Sequence, residues 1–160
     1  MTRCVSFAPV WRADAELLIL GSMPGVESLR QQQYYAFRHN AFWPIMGTIF
    51  HFDHTLPYPK RLDCLRKNRV ALWDVLKFCE RDGSLDADIR HALPNDLPAL
   101  LEKCPNITRI LCNGSAAATH FRRAFPRLVP LMTLLPSTSP AAARLSFPQK
   151  LLAWKQAICP

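Results

Sequence analysis

Four short apolar runs, each closed by glycine, proline or polar residues, constrain the fold of this chain more than any other feature. The runs cover residues 16–20, 70–73, 108–112 and 131–135. Their length and apolar content are typical of buried β-strands. Segments with the apolar spacing of helices lie between and after them, at residues 41–50, 59–68, 96–104, 115–125 and 147–158. This alternation predicts an α/β fold with a largely parallel sheet that is covered on both faces.

Polar or turn-forming segments follow each predicted strand. Gly21-Ser22-Met23-Pro24-Gly25 follows the first, Asp74-Val75-Leu76 the second, Asn113-Gly114-Ser115 the third and Pro136-Ser137-Thr138-Ser139-Pro140 the fourth. Open parallel sheets bind ligands beyond the carboxyl ends of their strands, because the loops converge there at a topological switch point. We therefore expect all four segments at one rim, which carries the functional site.

The composition predicts one domain that spans residues 1–160. A chain of 160 residues with 49% hydrophobic and 20% charged side chains buries about two thirds of its unfolded surface on folding. No apolar run approaches the ~18 residues of a membrane span, and the first residues lack the apolar stretch of a signal peptide. These features predict a cytoplasmic protein. Residues 78–93 are acidic and helix-like in part, without a clear assignment.

The charge and the cysteines limit the classes of partner and cofactor. A formal net charge of +8 favours a polyanionic partner such as nucleic acid, although a basic enzyme without such a partner has the same balance. The six cysteines are irregularly spaced and form no C-x-x-C pair, so the usual ligand patterns of zinc and iron–sulfur sites are missing. We expect reduced thiols, no metal and no cofactor.

An aromatic-rich segment runs from Tyr34 to Trp43 and includes Arg38, His39 and Asn40. The part from residue 42 onward suits the buried face of a helix that Asn40 caps. Tyr35 and Phe37 precede that helix in an expected loop, where an exposed ring often stacks on a flat ligand.

Each rim segment has an ordinary interpretation beside a functional one. Residues 21–25 offer backbone N–H groups to an anion or a polar base edge, or they form a plain strand-to-helix turn; they match neither nucleotide-binding glycine motif. The hydroxyls of residues 137–139 hold a phosphate or cap the next helix. Asp74 positions a water molecule as a base, or it is a solvated or capping aspartate.

Taken together, five segments resemble the uracil-DNA glycosylase superfamily, particularly its mismatch-specific branch and, most closely, the DNA-deoxyinosine (hypoxanthine-DNA) glycosylases. The resemblance covers most of the chain. Its segments are Gly21-Ser22-Met23-Pro24-Gly25, Tyr35-Ala36-Phe37-Arg38-His39-Asn40-Ala41-Phe42-Trp43-Pro44-Ile45, Leu72-Trp73-Asp74-Val75-Leu76, Asn113-Gly114-Ser115-Ala116-Ala117 and Leu135-Pro136-Ser137-Thr138-Ser139-Pro140-Ala141.

The resemblance implies a compact three-layer α/β/α sandwich with a mainly parallel sheet of four to five strands. It implies a monomer without metal or cofactor that flips a deaminated base out of DNA and hydrolyses its N-glycosidic bond in base excision repair. By the same resemblance, residues 21–25 line the base pocket, an aromatic ring stacks on the base, Asn40 contacts base or water, and residues 136–141 meet DNA.

On these grounds we assign roles to individual residues. Asn40, Asn113 and, in reserve, Asp74 are the catalytic candidates. The base-binding candidates are Gly21, Ser22, Met23, Pro24, Gly25, Tyr35 and Phe37. The DNA-binding candidates are Ser137, Thr138, Ser139, Pro140 and Arg144. Lys60, Arg61, Arg66, Lys67, Arg69, Arg122 and Arg123 form either a phosphate track or an ordinary solvated face.

Two departures from the better-known branches leave alternatives open. Met23 stands where those branches carry Asp or Asn, and Leu135 stands where they carry His or Asn. The chain therefore also fits a damaged-DNA binding module without hydrolysis, or an N-glycosidase that acts on small nucleosides. The order of preference among hypoxanthine, uracil and xanthine depends on the shape of the pocket.

Overall fold

The computed structural model describes residues 2–160. Its strands are β1 (Arg3–Val5), β2 (Leu17–Gly21), β3 (Val70–Asp74), β4 (Leu76–Glu80), β5 (Arg90–Pro94), β6 (Arg109–Asn113) and β7 (Met132–Leu135). Its α-helices are α1 (Val26–Gln31), α2 (Phe42–Phe50), α3 (Tyr58–Lys67), α4 (Leu97–Lys103), α5 (Ser115–Ala124) and α6 (Phe147–Ile158). Two 3₁₀ helices cover Asp86–Asp88 and Pro126–Leu131.

The main sheet has the order β3-β2-β6-β7, and all its strand pairs are parallel. Alternate residues of β2 point to opposite faces, as strand geometry requires. Leu18 and Leu20 join a cluster that includes Leu97 of α4 and Phe121 of α5. Leu17 and Ile19 join a second cluster built by α2, α3 and α6. The four predicted strands, the helices between them and the layered α/β architecture are therefore confirmed.

A second sheet was not predicted. It is antiparallel, with the order β1-β4-β5, and it contains both ends of the segment 78–93, at residues 78–80 and 90–93. The helix-like interpretation of that segment is wrong apart from the 3₁₀ turn at Asp86–Asp88. Strand β5 is largely exposed, so it lacks the alternating pattern that identifies a half-buried strand, and pairing with β4 decides its conformation.

The register of the main sheet brings the predicted rim together. Gly21 pairs with Asp74, and Asn113 pairs with Leu135, so these four strand ends share one edge. Two side chains of α6 hold the loop after β7, because Trp154 Nε1 donates to the Pro136 carbonyl at 2.9 Å and Lys150 Nζ donates to the Ser139 carbonyl at 3.1 Å.

Two further findings concern the described residues as a whole. No helix among them is long and apolar enough to cross a membrane. The six cysteines are free, and residues 2–160 contain no group of three or more His, Cys, Asp or Glu side chains arranged to hold a metal ion.

Candidate active site

A cavity of about 480 Å³ opens at the carboxyl edge of the main sheet. The structure places all three catalytic candidates and every base-binding candidate in its lining. The predicted residues that line it are Gly21, Ser22, Met23, Pro24, Gly25, Tyr35, Phe37, Asn40, Asp74, Asn113, Ser137, Thr138, Ser139 and Pro140. Arg144 is exposed and lies outside this lining.

Asp74 is the most buried charged group in the cavity lining, with 3% of its surface exposed. Within residues 2–160, its Oδ2 atom has no hydrogen-bond partner. Burial raises the pKa of Asp74 from 3.8 to about 7; the nearby charge of Asp86 adds to this effect and that of Arg81 opposes it. A carboxyl group with this pKa exchanges its proton near neutral pH, as a catalytic acid or base must.

Gly21 permits the close approach of two functional groups. A Cβ atom at this position would lie 2.5 Å from Asp74 Oδ1 and 2.9 Å from the Tyr35 hydroxyl oxygen. Both distances are too short for a real contact, so any side chain at position 21 would displace the carboxylate or the phenol. The first residue of the predicted loop is therefore a glycine for a steric reason.

Asn113 is buried and is held by protein groups on both sides of its amide. Its Nδ2 donates to the Thr138 hydroxyl at 2.9 Å and to the Tyr35 hydroxyl at 3.2 Å, and its Oδ1 accepts from the Thr138 backbone N–H at 2.9 Å. The backbone donor fixes the orientation of the amide. Both N–H groups of Asn113 are thus engaged within the protein, and the residue ties the end of β6 to the loop after β7.

Asn40, unlike Asn113, leaves its amide N–H groups without a partner among residues 2–160. The N-cap residue of α2 is Ala41 rather than the predicted Asn40, which lies one residue earlier. The Asn40 Oδ1 nevertheless accepts from the Phe42 backbone N–H, the first of the helix, at 2.9 Å. Its Nδ2 makes no hydrogen bond to any of the described residues, and the residue lines the cavity. The next backbone N–H, of Ala41, donates to the Thr138 carbonyl at 2.9 Å. Asn40 therefore has a free amide donor on a backbone that is fixed on both sides.

The two loop aromatics differ in how much of the ring is free. Tyr35 stacks on Phe42 with ring centroids 4.0 Å apart, and its backbone is left-handed, with a φ of 54°. Burial raises the pKa of its hydroxyl, so the phenol stays neutral. Phe37 is 47% exposed at the cavity. One face of Tyr35 is already covered, whereas Phe37 offers more open surface to a flat ligand.

Residues 84–86 form a wall of the cavity that sequence reasoning missed. The Ser84 hydroxyl accepts from the Val26 backbone N–H at 2.8 Å, and the Ser22 hydroxyl donates to Asp86 Oδ1 at 2.6 Å. These two bonds join the wall to the predicted loop. Nothing in the spacing of Ser84 and Asp86 indicates this, because the contact depends on the second sheet.

Arg81 lies behind the same loop, and its side chain is buried. Its Nη2 donates to the Pro24 carbonyl. Within residues 2–160, its Nε and Nη1 atoms have no hydrogen-bond partner. A buried cation of this kind fixes the loop and contributes positive potential near the cavity.

Local hydrogen bonds shape the loop that follows β7. The Ser137 and Ser139 hydroxyl oxygens accept from the backbone N–H groups of Ser139 and Ala141 at 3.1 and 3.2 Å. Their O–H groups remain available as donors. The loop thus has a defined shape and presents two hydroxyls at the mouth of the cavity.

Much of the predicted phosphate track is distant from the cavity. Lys67 and Arg69 lie at the amino end of β3, at the sheet edge opposite the cavity, and Arg69 pairs with Glu16 at 3.4 Å. Arg66 pairs with Asp63 at 3.2 Å. Arg61 lies over the Trp43 ring. For this set of basic residues, these contacts favour an ordinary solvated face over a phosphate track.

The chain is similar in sequence and in fold to known proteins. The family model of the uracil DNA glycosylase superfamily matches residues 9–158. A hypoxanthine DNA glycosylase of Methanosarcina barkeri is 34% identical over 152 residues, which cover 94% of this chain and 95% of that protein. One of Methanosarcina acetivorans is 37% identical over 141 residues, covering 88% and 89%. The solution NMR structure of a candidate uracil DNA glycosylase from Methanosarcina acetivorans superposes with a TM-score of 0.82 at 32% identity, covering 98% of this chain and 99% of that one. This chain belongs to the uracil DNA glycosylase superfamily.

Proposed function

We propose that this protein is a monofunctional DNA glycosylase that removes hypoxanthine, and also uracil or xanthine, from DNA. It acts as a monomer, flips the damaged nucleotide and hydrolyses its N-glycosidic bond. Two relatives that align over most of the chain are hypoxanthine DNA glycosylases. The observation that carries the proposal is a nucleobase-sized cavity whose lining combines the buried carboxyl of Asp74 with the free amide of Asn40.

The size and position of the cavity support base flipping. A volume of about 480 Å³ lies within the range of small-ligand pockets, ~300–1,000 Å³. A base inside a duplex cannot reach such a recess, so the nucleotide must rotate out of the stack. The hydroxyls of Ser137 and Ser139 at the cavity mouth suit contacts with the flanking phosphates.

The chemistry requires stabilisation of two opposite charges. As the N-glycosidic bond breaks, its electron pair moves to the base and the sugar gains oxocarbenium character. The amide N–H of Asn40 donates to the electron-rich base. Backbone N–H groups of residues 22–25 supply further donors. The base leaves with a proton from solvent, and water provides the hydroxyl that bonds to C1′.

Asp74 acts as the base that holds this water. In its ionised form it accepts a proton from the water as the oxygen bonds to C1′, and its negative charge stabilises the cationic sugar. Its pKa of about 7 keeps a substantial fraction ionised at neutral pH. Asp74 thereby replaces the polar groups that the better-known branches carry at the positions of Met23 and Leu135.

Asn113 acts as a positioning residue in this mechanism. Its amide hydrogens already bond to Tyr35 and Thr138, so it holds the phenol and the DNA-binding loop in place. This assignment refines the catalytic role that the sequence predicted for it.

The test is cleavage of a duplex that contains one 2′-deoxyinosine, with protein in excess and with abasic sites revealed by alkali. We expect stoichiometric abasic sites with the wild type, severe loss in Asp74→Asn and Asn40→Ala, and wild-type rates in Asn106→Ala, whose exposed side chain lies outside the cavity lining. Tight binding of the duplex without base release would support the binding module. Cleavage confined to free deoxyinosine would support the nucleoside hydrolase.

A further inference from the structure

We propose that Asp86 selects the base by accepting a hydrogen bond from the ring N–H that deaminated bases carry on their Watson–Crick edge. This inference rests on the proposed function and names the residue that sets its substrate class. Asp86 stands at the start of the 3₁₀ helix Asp86–Asp88 and lines the cavity.

Asp86 is exposed at the cavity wall, and one hydrogen bond orients its carboxylate and leaves the other oxygen for a ligand. Oδ1 accepts the Ser22 hydroxyl at 2.6 Å. The neighbouring Ser84 anchors the same wall to the Val26 backbone N–H at 2.8 Å. Among residues 2–160, no hydrogen-bond donor contacts Oδ2. Asp86 Oδ2 is therefore a hydrogen-bond acceptor on the cavity wall that has no partner among these residues.

The other two carboxylates in the cavity lining have other partners or another proposed role. Glu27 forms an ion pair with Arg30 and also accepts a hydrogen bond from Gln31. Asp74 lies buried at the strand ends beside Gly21 and Tyr35, where the proposed reaction uses it. Asp86 is thus the cavity carboxylate that is anchored and still has an oxygen free for recognition.

The chemistry of an ionised carboxylate matches deaminated bases. It accepts hydrogen bonds and donates none. Hypoxanthine and xanthine carry a proton on N1, and uracil carries one on N3, whereas the same atoms of adenine and cytosine are acceptors. Asp86 is exposed, so a base with an acceptor at this atom would displace water from the carboxylate without replacing its hydrogen bond, which weakens binding. Guanine also has an N1 proton, so Asp86 gives no discrimination against guanine.

The test measures binding, so that it does not depend on the rate of chemistry. Duplexes carry 2′-fluoroarabino-inosine or its 1-methyl derivative, because the fluorine destabilises the oxocarbenium-like transition state and blocks cleavage. The 1-methyl group removes the donor. We expect the wild type to bind the inosine duplex at least about 10-fold more tightly than the methylated one, a ratio equal to about 1.4 kcal/mol.

The wild type and three variants distinguish a role of Asp86 in base recognition from a purely structural role. Asp86→Leu keeps a similar shape without an acceptor, so the preference should fall to within about twofold. Asp86→Asn retains a carbonyl acceptor and should restore part of the preference. Asp88→Leu, on the same turn and outside the cavity lining, should behave as the wild type. Measurements at about pH 8 keep Asp74 ionised, because its pKa is about 7.

The outcomes that overturn the inference are distinct from failure of the proposed function. Equal wild-type affinity for the two duplexes, or an Asp86→Leu variant that keeps the full preference, refutes the role of Asp86. If the wild type produces no abasic sites in unmodified inosine DNA, the proposed glycosylase activity is refuted.

Discussion

Replacement of Asp74 by asparagine should abolish base release and at the same time stabilise the protein. The carboxyl is buried, and its Oδ2 lacks a hydrogen-bond partner among residues 2–160. Ionisation there has a free-energy cost that the unfolded chain does not have. An amide has nearly the same shape and cannot ionise, so the variant escapes this cost and loses the proposed base.

The size of the effect follows from the pKa of Asp74. The ordinary and folded-state values are 3.8 and about 7, and each pKa unit corresponds to ~1.4 kcal/mol. Between these values the folded state retains a proton that the unfolded state has lost, so the stability of the wild type falls as pH rises. The full cost, about 4 kcal/mol, is present above pH 7 and nearly absent at about pH 4.

The assay is urea or thermal unfolding of both proteins across this range. Asp74→Asn should gain up to about 4 kcal/mol over the wild type at about pH 8, or a melting temperature higher by on the order of 10 °C for a chain of this size. At about pH 4 the two should differ by less than about 1 kcal/mol. A stability difference that does not change with pH would refute the account of Asp74.

Three further predictions concern the same site. The single-turnover rate of the wild type should rise about tenfold per pH unit below the Asp74 pKa of about 7 and level off above it; a rate that falls with rising pH would assign Asp74 the role of an acid. Gly21→Ala, whose Cβ would lie 2.5 Å from Asp74 Oδ1, should lower the free energy of unfolding in urea by about 1–3 kcal/mol and remove most of the activity. The control Gly25→Ala, whose Cβ would lie 3.3 Å from the Ser84 hydroxyl oxygen, should lower it by less than about 1 kcal/mol. Equal losses of stability in the two variants would contradict the steric argument. Lys150→Met keeps the aliphatic stem but loses the bond to the Ser139 carbonyl, so DNA affinity should fall severalfold, by at most about 10-fold, with stability lowered by only about 1 kcal/mol. Unchanged affinity would show that Lys150 does not position the loop.

The sequence predicted the parts of the fold that are set by local pattern. Continuous apolar runs identify the strands of a doubly covered parallel sheet, and their polar endings mark the rim. This pattern predicts Gly21, Asp74 and Asn113 at one edge, and the register of the sheet confirms this placement.

The parts that escaped prediction depend on contacts between distant segments. Strand β5 is exposed and has no alternation, so only its pairing with β4 identifies it. That pairing carries Asp86 to Ser22, 64 residues away in the chain. The engagement of both Asn113 N–H groups likewise follows from its contacts with Tyr35 and Thr138, which no local pattern encodes.

In the proposed reaction, the cavity releases a deaminated base from DNA by hydrolysis. The most direct measurement incubates excess protein with duplex and single-stranded oligonucleotides that each contain one hypoxanthine, uracil or xanthine, and quantifies both the abasic strand and the free base by mass spectrometry. We expect equal amounts of abasic strand and free hypoxanthine, with none from the unmodified control. Bound but intact inosine DNA at every enzyme concentration would contradict it.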